Sequence, residues 1–462
     1  MAEPMTQTSR AVILPRHKAA PGPHGQFLLG NARAIQRDPL GFGLTMTHQY
    51  GDVVRMRFFA WPAYLVNHPD GVKHILQVNQ LNYNKDLYPY KALKPLLGRG
   101  LVTNDGEDWL HQRHLMQPAF HRKRLTAFGT LMTGATVAML DRWEDLAGRN
   151  QPLDVSEEML RLALCIAGKA LFSIDLSDET HTVGQAVTTV NKLLTEYLYT
   201  PFPPLNVPTP RNRRLQVACR TLDQVVHSII SQRRQQITDP GDLLSMLLSA
   251  RDAETGQGMD DQQVRDEVIT LLIAGHETVS TALTWTWYLL SHYPDVERRL
   301  HTELNTVLGG QMPKVEHLAR LSYTRMVLEE ALRLYPPAWV FGRKAIADDE
   351  IGGYFIPANS MIVLSPYLTH RHPAFWENPE LFDPERFTLE RSAGRPHYAY
   401  FPFGGGPRMC IGSNFALMEM QLILATVAQR YQLHQVPGHP VEPEALLSLR
   451  PRYGLPMTLQ HT

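Results

Sequence analysis

The segment from Phe403 to Gly412 constrains this chain more than any other stretch of its sequence. Three consecutive glycines, 404–406, precede Cys410, and Arg408 lies two residues before that cysteine. Such glycines allow a tight turn and a close backbone approach to a flat partner. A helix is predicted to begin just after Cys410, and its N-terminus would favour a thiolate and lower the cysteine pKa. The residues alone favour a buried structural cysteine, since free cysteines are usually buried, and a thiolate that binds a metal is the alternative.

Composition disfavours several classes of protein and site. Lys plus Arg equals Asp plus Glu, at 45 each, which disfavours a nucleic-acid-binding protein. The three cysteines, Cys165, Cys219 and Cys410, form no CxxC pair, so neither a zinc site nor a disulfide framework is expected, and a reducing compartment is favoured. Residues 1–20 hold no apolar stretch long enough for a signal peptide or a membrane span. We therefore expect a cytoplasmic protein without a transmembrane segment, in which residues 1–20 form a flexible arm.

Helical periodicity dominates the chain, and strand patterns are few and clustered. Residues 53–59 and 63–67 predict a β-hairpin, residues 361–364 a further strand, and residues 260–293 a long helix. No break in composition divides the sequence. These patterns predict a mostly α, α-rich α+β fold in a single domain over residues 1–462.

A proline-rich segment, residues 199–210, separates two predicted helices at 183–198 and 211–236. It contains five prolines, which exclude a regular helix. The segment is either a domain linker or a loop over a binding cavity. Its aromatic and apolar residues favour the loop.

Within the long predicted helix an acid stands beside a hydroxyl. Glu277 and Thr278 follow Ala274, Gly275 and a mostly apolar run. Ala274 and Thr278 are four residues apart and share a helix face, and Gly275 would permit close approach. Burying an acid and a hydroxyl is costly without a purpose, which favours a functional site over a polar patch on a solvated face.

Two further pairs have both a structural and a functional interpretation. Glu330 and Arg333 are three residues apart on one helix face and can form an ion pair. Taken alone, this spacing favours an ordinary exposed pair of little energetic value. Trp109 and Arg113 are four apart, and their N–H groups suit carboxylate oxygens, although a surface stack is equally compatible with the spacing.

Together these segments resemble the cytochrome P450 family, in its order and spacing, from about Pro21 to the C-terminal segment. Residues 403–412 resemble the haem-binding loop of the family, and residues 274–278 resemble its oxygen-activation motif. Residues 330–333 and Phe382–Phe387 resemble two segments that the family carries at a similar separation and that form ion pairs with each other. The position after Thr278, often a second hydroxyl residue in the family, is Val279 here.

The resemblance implies a helical prism with small peripheral β-sheets around a buried haem b, whose iron takes the thiolate of Cys410 as axial ligand. Glu277 and Thr278 would deliver protons during oxygen activation. Glu330, Arg333 and Arg386 would form a buried triad that braces the cysteine loop. The other implied contacts to the cofactor are Trp109, Arg113, Ala274, Gly275, Arg343, Phe403, Arg408 and Gly412, the arginines and Trp109 toward the propionates.

The implied activity is that of a monooxygenase, which uses O2 to hydroxylate or epoxidise a lipophilic substrate such as a fatty acid, a terpenoid or a steroid. The sequence shows no fused reductase, so a separate donor is expected: a ferredoxin with its reductase, or a flavodoxin-type protein. The basic run 121–124 could steer that donor. We expect a monomer. A peroxide-dependent haem-thiolate enzyme and a non-catalytic haem-based sensor are the alternatives.

Overall fold

The computed structural model describes residues 18–176, 180–200, 202–235, 242–251, 256 and 258–462. Most of the predicted N-terminal arm therefore lies outside the described residues, as do the side chains of residues 122–125 in the basic run. The division into one domain over residues 1–462 stays a prediction.

Sixteen α-helices are found in the described part of the chain. They are α1 (Ala32–Arg37), α2 (Pro39–Tyr50), α3 (Pro69–Lys73), α4 (Tyr88–Leu97), α5 (Gly106–Met116), α6 (Arg122–Gly148), α7 (Val155–Phe172), α8 (Thr180–Tyr199), α9 (Pro210–Gln235), α10 (Leu243–Ser249), α11 (Asp261–His292), α12 (Pro294–Leu308), α13 (Ser322–Leu334), α14 (Pro366–Thr369), α15 (Leu389–Ser392) and α16 (Ser413–Ala428). Among these residues, no helix is long and apolar enough to cross a membrane.

The strands of the described residues are short and form four small sheets. They are β1 (Val53–Phe58), β2 (Trp61–Val66), β3 (Tyr83–Asn84), β4 (Leu153–Asp154), β5 (Phe341–Ala345), β6 (Asp349–Ile351), β7 (Tyr354–Ile356), β8 (Met361–Leu364), β9 (Tyr431–Gln435), β10 (Pro443–Ala445), β11 (Leu449–Pro451) and β12 (Pro456–His461). The largest sheet has the order β1-β2-β8-β5-β3, with β2 and β8 parallel; the others are β4-β12-β9, β10-β11 and β6-β7.

Helix α11 is the central element of the helical region. Asp260 caps its first turn by accepting a hydrogen bond from the Gln263 N–H at 2.7 Å. The helix packs against α7, α9, α13 and α16 and is buried along most of its length. One stripe of α11 is left facing a cavity, and this stripe carries the acid and the hydroxyl singled out above.

The predicted fold class is confirmed, because helices dominate and the strands are few and clustered. The predicted hairpin is β1 with β2, paired from Val53 opposite Val66 to Phe58 opposite Trp61. The predicted long helix is α11, and the helices on either side of the proline-rich segment are α8 and α9. The last predicted helix begins at Ser413, two residues later than Ile411, because Cys410, Ile411 and Gly412 form the turn that leads into it.

Candidate active site

The cysteine loop is held by its own backbone. The Cys410 N–H donates to the carbonyl of Phe403 at 2.9 Å, and the Gly404 N–H donates to Phe401 at the same distance. Gly406 has φ +64°, and a Cβ there would lie 1.8 Å from the carbonyl oxygen of Leu76. Only glycine fits such a position. The loop therefore presents Cys410, which is exposed, at a fixed place ahead of α16.

The predicted lowering of the Cys410 pKa is wrong for the protein chain itself. Although part of its surface is accessible, the Cys410 side chain is surrounded by protein, and this burial raises the pKa of its thiol, while a hydrogen bond from the Gly412 backbone and the charge of Arg113 act in the opposite direction. The electropositive groups named from the sequence are thus present around the sulfur. They do not outweigh the loss of hydration.

Glu330, Arg333 and Arg386 lie together in the core, each less than 5% exposed. Arg333 donates through Nε and Nη2 to both oxygens of Glu330, at 2.6 and 2.8 Å, and Arg386 Nε donates to Glu330 Oε1 at 3.2 Å. The remaining guanidinium N–H groups donate to backbone carbonyls of residues 370 and 377–381. We refer to these three side chains as the Glu330 bracket.

A short chain of contacts joins the Glu330 bracket to the cysteine loop. Arg333 donates to the carbonyl of His370 at 2.9 Å, and the Nε2 of His370 accepts from the Phe401 N–H at 2.9 Å. Burial is the main cause that lowers the pKa of His370 well below its usual value, so its ring is neutral and can accept this bond. The carbonyl of Phe401 then accepts from Gly404 in the loop.

Four cations converge beside the loop. Arg408 stacks over the Trp109 ring at 4.1 Å and pairs with Asp105, but its Nη1 is buried without a partner. Arg113 donates to the carbonyl of Met409 at 2.9 Å. Arg343 donates to the Tyr90 hydroxyl at 3.3 Å and to the Gly342 carbonyl.

The fourth cation, Lys85, was missed from the sequence. Its Nζ donates to the carbonyl of Val102 at 2.8 Å. Burial, and then the charges of Arg343 and Arg408, lower its pKa well below the usual value, while Asp105 acts in the opposite direction. Asp105 also accepts from the Lys85 backbone and caps α5. No local pattern marks either residue, since the tertiary fold alone brings them to the arginines.

Glu277 is held at the cavity wall by two other chain segments. Its Oε1 accepts from Ser448 Oγ at 2.6 Å and from the side-chain amide of Asn191, in α8. Asn191 also accepts from the Leu447 N–H at 3.0 Å through Oδ1. We refer to Glu277, Asn191 and Ser448 as the Glu277 node. Burial raises the pKa of Glu277, whereas the bonds from Ser448 and Asn191 and the charge of Arg450 lower it.

The other residues of the predicted oxygen-activation motif take distinct positions. Thr278 Oγ1 donates to the Ala274 carbonyl at 2.7 Å, and both residues line the cavity. Gly275 is turned toward α7, where an added Cβ would find Leu171 at 4.0 Å, so close packing within the protein does not require a glycine there. His276 is buried with both ring nitrogens unpartnered, and burial lowers its pKa to about 4.

A cavity of about 500 Å³ lies against this stripe of α11. Further wall residues come from α1, α2, α4, α8, α14, β1, β2, β8, the 339–342 segment and the 446–448 turn. Among the described residues, the wall contains no Lys, Arg or His and one acid, Glu277, and its other polar side chains belong mainly to threonine, serine and tyrosine. The C-terminal part of the chain contributes Leu446, Leu447 and Ser448 to this wall.

Another acid of α11, Glu267, is fully buried and is not part of the cavity wall. Its Oε2 accepts from the Leu101 N–H at 3.1 Å, and its Oε1 has no partner. Burial, opposed by the Leu101 hydrogen bond, raises the pKa of Glu267 to about 8. No sequence pattern marks this buried acid.

Comparison with known proteins decides the family. A family model described as "Cytochrome P450" matches residues 20–456. The chain belongs to the cytochrome P450 family. The haem domain of cytochrome P450DA has the same fold, with a TM-score of 0.88 and 27% identity over 96% of this chain and 98% of that one.

Three relatives of this P450 come from Streptomyces. Cyclooctatin synthase of Streptomyces melanosporofaciens is 39% identical over 94% of both chains. Cyclooctat-9-en-7-ol 5-monooxygenase of the same organism is 39% identical over 89% of this chain and 88% of the relative. Pentalenene oxygenase of Streptomyces avermitilis is 35% identical over 93% of this chain and 95% of the relative.

As a P450 the protein is a monooxygenase with a cysteine-ligated haem b, which requires a redox partner and a lipophilic substrate. The residues present fit this cofactor. Among the described residues, Arg113, Arg343 and Arg408 lie with Lys85 around the carboxylate of Asp105, and Glu267, whose raised pKa favours its neutral form, also interacts with Lys85. The three arginines therefore provide positive charge for two propionates, and Arg408 keeps an unpartnered N–H. An exposed cysteine lies beside this cluster.

Proposed function

We propose that this P450 binds haem through Cys410 and inserts one oxygen atom into a neutral, cyclic terpenoid. When bound, the haem supplies the oxygen activation. The observation that carries the substrate class is the cavity wall, which offers 500 Å³ of largely apolar space without a cation for a carboxylate. The relatives support the same class, since they are named for cyclooctatin and pentalenene. The fatty acids considered from the sequence would leave a carboxylate unpaired in this wall.

The protein's own residues divide the remaining work. Cys410 would hold the haem iron through its thiolate, and Trp109, Arg113, Arg343, Arg408 and Lys85 are the proposed partners of the propionates. Glu277 is the proposed proton donor at the cavity wall, because its raised pKa keeps more of it protonated at neutral pH than an exposed glutamate. Thr278 is proposed to orient that transfer through its hydroxyl. The Glu330 bracket is proposed to be structural.

The test of the substrate class is an optical titration of the ferric, haem-loaded protein. A terpene hydrocarbon or alcohol should shift the Soret band at a concentration at least about tenfold lower than the matched terpene carboxylic acid, because the acid must lose its hydration without gaining a partner. Tighter binding of the acid, or of a long-chain fatty acid, would contradict the proposal.

The role of Cys410 as the ligand of the haem iron is tested by comparing variants at two cysteines. Cys410→Ser should abolish oxygenase activity and the absorption spectrum of thiolate-ligated haem. Cys219→Ala, a change at a buried cysteine of α9, should leave both intact. Retained thiolate absorption in Cys410→Ser would show that another residue is the ligand. The proposed electron donor, a ferredoxin or flavodoxin-type protein, stays a prediction.

A further inference from the structure

Glu267, in α11, is a buried acid that the proposed reaction does not use. It has no exposed surface, and its Oε2 accepts one hydrogen bond, from the Leu101 N–H at 3.1 Å. Its Oε1 has no partner among the described residues. Since a single neutral donor offsets little of the cost of burying a negative charge, this group can gain or lose a proton near neutral pH. Its charge then acts through protein and not through water.

The Leu101 peptide group joins Glu267 to the cations beside the cysteine loop. Its N–H faces Glu267, and its carbonyl accepts from Lys85 Nζ at 3.4 Å. The Val102 carbonyl accepts from the same Nζ at 2.8 Å. The charges of Arg343 and Arg408 act in turn on Lys85. Glu267 therefore lies one residue of backbone away from the cations that are proposed to hold the propionates.

The segment that carries this peptide group is fixed on α11 on both sides of Glu267. On one side, the Arg99 N–H donates to Asp266 Oδ2 at 2.7 Å. On the other side, a Cβ on Gly100 would lie 2.2 Å from Thr270 Oγ1, so only glycine allows this close approach. The separation between Glu267 and the cations is therefore set by the packing of the backbone and not by the rotation of exposed side chains.

Two charged groups of the described residues act on the carboxyl group of Glu267. Burial raises its pKa to about 8, a backbone hydrogen bond lowers it, Asp266 raises it and Lys85 lowers it. Asp266 is paired with Arg265 at 2.8 Å. Of the other elements packed around this half of α11, α10 has no titratable side chain, and Asp223 of α9 is bound by Arg265. The charged side chains of α4 and α7 are exposed or paired elsewhere.

We propose that Glu267 couples the uptake of a proton to the one-electron reduction of the haem iron. The proposal rests on the proposed function, because the placement of the propionates at Lys85 and the neighbouring arginines puts the haem beside the cation that acts on Glu267. One electron from the redox partner adds negative charge to the haem, and one proton from solvent binds the carboxylate of Glu267. No bond between heavy atoms forms or breaks.

The sign of the coupling follows from the two charges. A negative charge on Glu267 opposes the arrival of an electron at the iron, and the added electron favours the neutral form of Glu267. The effect is the same in both directions, as linkage between two sites requires. Because Glu267 and the Leu101 peptide are buried, solvent ions screen this interaction little. Glu267 is thus a positioning residue for charge, which acts on the iron through Lys85.

The experiment is a potentiometric titration of the substrate-free, haem-loaded protein at several pH values. The midpoint potential of the wild type should fall as the pH rises from about 7 to about 9, because Glu267 ionises over this range. The pKa read from the bends of this curve should be higher in the ferrous than in the ferric protein by about one unit, a tenfold change in proton affinity. In Glu267→Gln the potential should not depend on pH over the same range.

The variants separate charge from structure. Glutamine keeps an oxygen for the Leu101 N–H, so a loss of the pH dependence in Glu267→Gln reports the missing charge and not a missing hydrogen bond. Glu267→Asp keeps an ionisable group and should keep a pH-dependent potential. Glu107→Gln removes an exposed acid of α5, two residues before Trp109, and should behave like the wild type because water screens that charge.

A wild-type potential that does not change with pH would overturn the proposal, and this result needs no variant, so it holds even if Glu267→Gln fails to bind haem. An unchanged pH dependence in Glu267→Gln would also overturn it and assign the proton to another group. A failure of the terpenoid assignment would not affect these results, because no substrate is present. A failure of Cys410 as ligand would be seen separately, in the thiolate absorption of Cys410→Ser.

Discussion

Two buried glutamates on neighbouring helices of this P450 have opposite surroundings. Glu330, in α13, has no exposed surface and is paired with two guanidinium groups that stay charged at any working pH. Glu277, in α11, faces a cavity and is held by the neutral side chains of Ser448 and Asn191. Permanent counter-charges keep a carboxylate ionised and give it a structural role, whereas neutral hydrogen-bond donors allow it to take up and release a proton. The difference separates a structural acid from a chemical one.

The largest effect is expected from Glu330→Ala. Two buried guanidinium groups would lose their counter-charge, which should lower the free energy of unfolding by about 3–5 kcal/mol. Urea unfolding of the haem-loaded protein measures this change. The control is Glu329→Ala, because its pair with Arg325 at 2.9 Å is partly exposed and should cost below about 1 kcal/mol. An equal loss of unfolding free energy in the two variants would show that the Glu330 bracket has no special structural role.

Glu277→Gln should leave stability nearly unchanged and lower turnover. The amide keeps the shape and an oxygen for Ser448, but it cannot deliver a proton, so we expect turnover to fall by about 100-fold. Substrate affinity in the Soret titration should stay within about threefold of the wild type, because the cavity shape is kept. Turnover close to that of the wild type would show that Glu277 is only a wall residue.

Thr278→Ala should reduce the product formed per electron pair and increase the release of hydrogen peroxide. The helix offers a matched control, because Thr286 Oγ1 makes the same bond one turn back, to Ala282 at 2.8 Å, but lies outside the cavity wall. Thr286→Ala should therefore keep the coupling of the wild type. A similar loss in both variants would point to helix packing and not to proton delivery.

Glu267 sharpens the comparison, because it is a third buried acid with only one hydrogen bond. Its pKa of about 8 lies above the ordinary value of 4.5. The unfolded chain therefore releases this proton at lower pH than the folded protein does, and ionisation lowers stability between pH 4.5 and 8. Relative to Glu267→Gln, the wild type should lose unfolding free energy over that window by up to about 1.4 kcal/mol per pH unit. Identical pH profiles would contradict the raised pKa.

Ser448→Ala should give the smallest effect, a shift in the pH profile. Removing this hydrogen bond raises the pKa of Glu277 further. If protonated Glu277 is the active form, the decline of turnover on the alkaline side moves to higher pH, and turnover at neutral pH changes by about threefold or less. Ser365→Ala, in the same wall but bonded to the Trp339 carbonyl at 2.7 Å, should show no shift.

The fold and the outline of the site could be predicted because they depend on local patterns. Helical periodicity predicted α11, and the spacing of Glu277 and Thr278 on it determines which groups share its cavity face. The glycines before Cys410 predicted the tight loop, and Gly406 shows the steric reason.

Long-range contacts could not be predicted in this way. Lys85 and Asp105 reach the arginines only through tertiary packing, and Asn191 and Ser448 reach Glu277 from segments 86 and 171 residues away. The lowered pKa expected for Cys410 was wrong because a sequence shows the charges around a thiol but not how much water it loses.

The Glu277 node also has a consequence for the evolution and engineering of this enzyme. The turn at Leu446–Ser448 shapes the cavity and holds the acid through the same few atoms. Mutations that adapt this turn to a new substrate therefore alter the supply of protons as well. Substrate selectivity and catalytic efficiency therefore cannot change independently through this turn. Mutant libraries directed at the turn should alter both properties together, whereas libraries directed at α2 or β2 should alter selectivity alone.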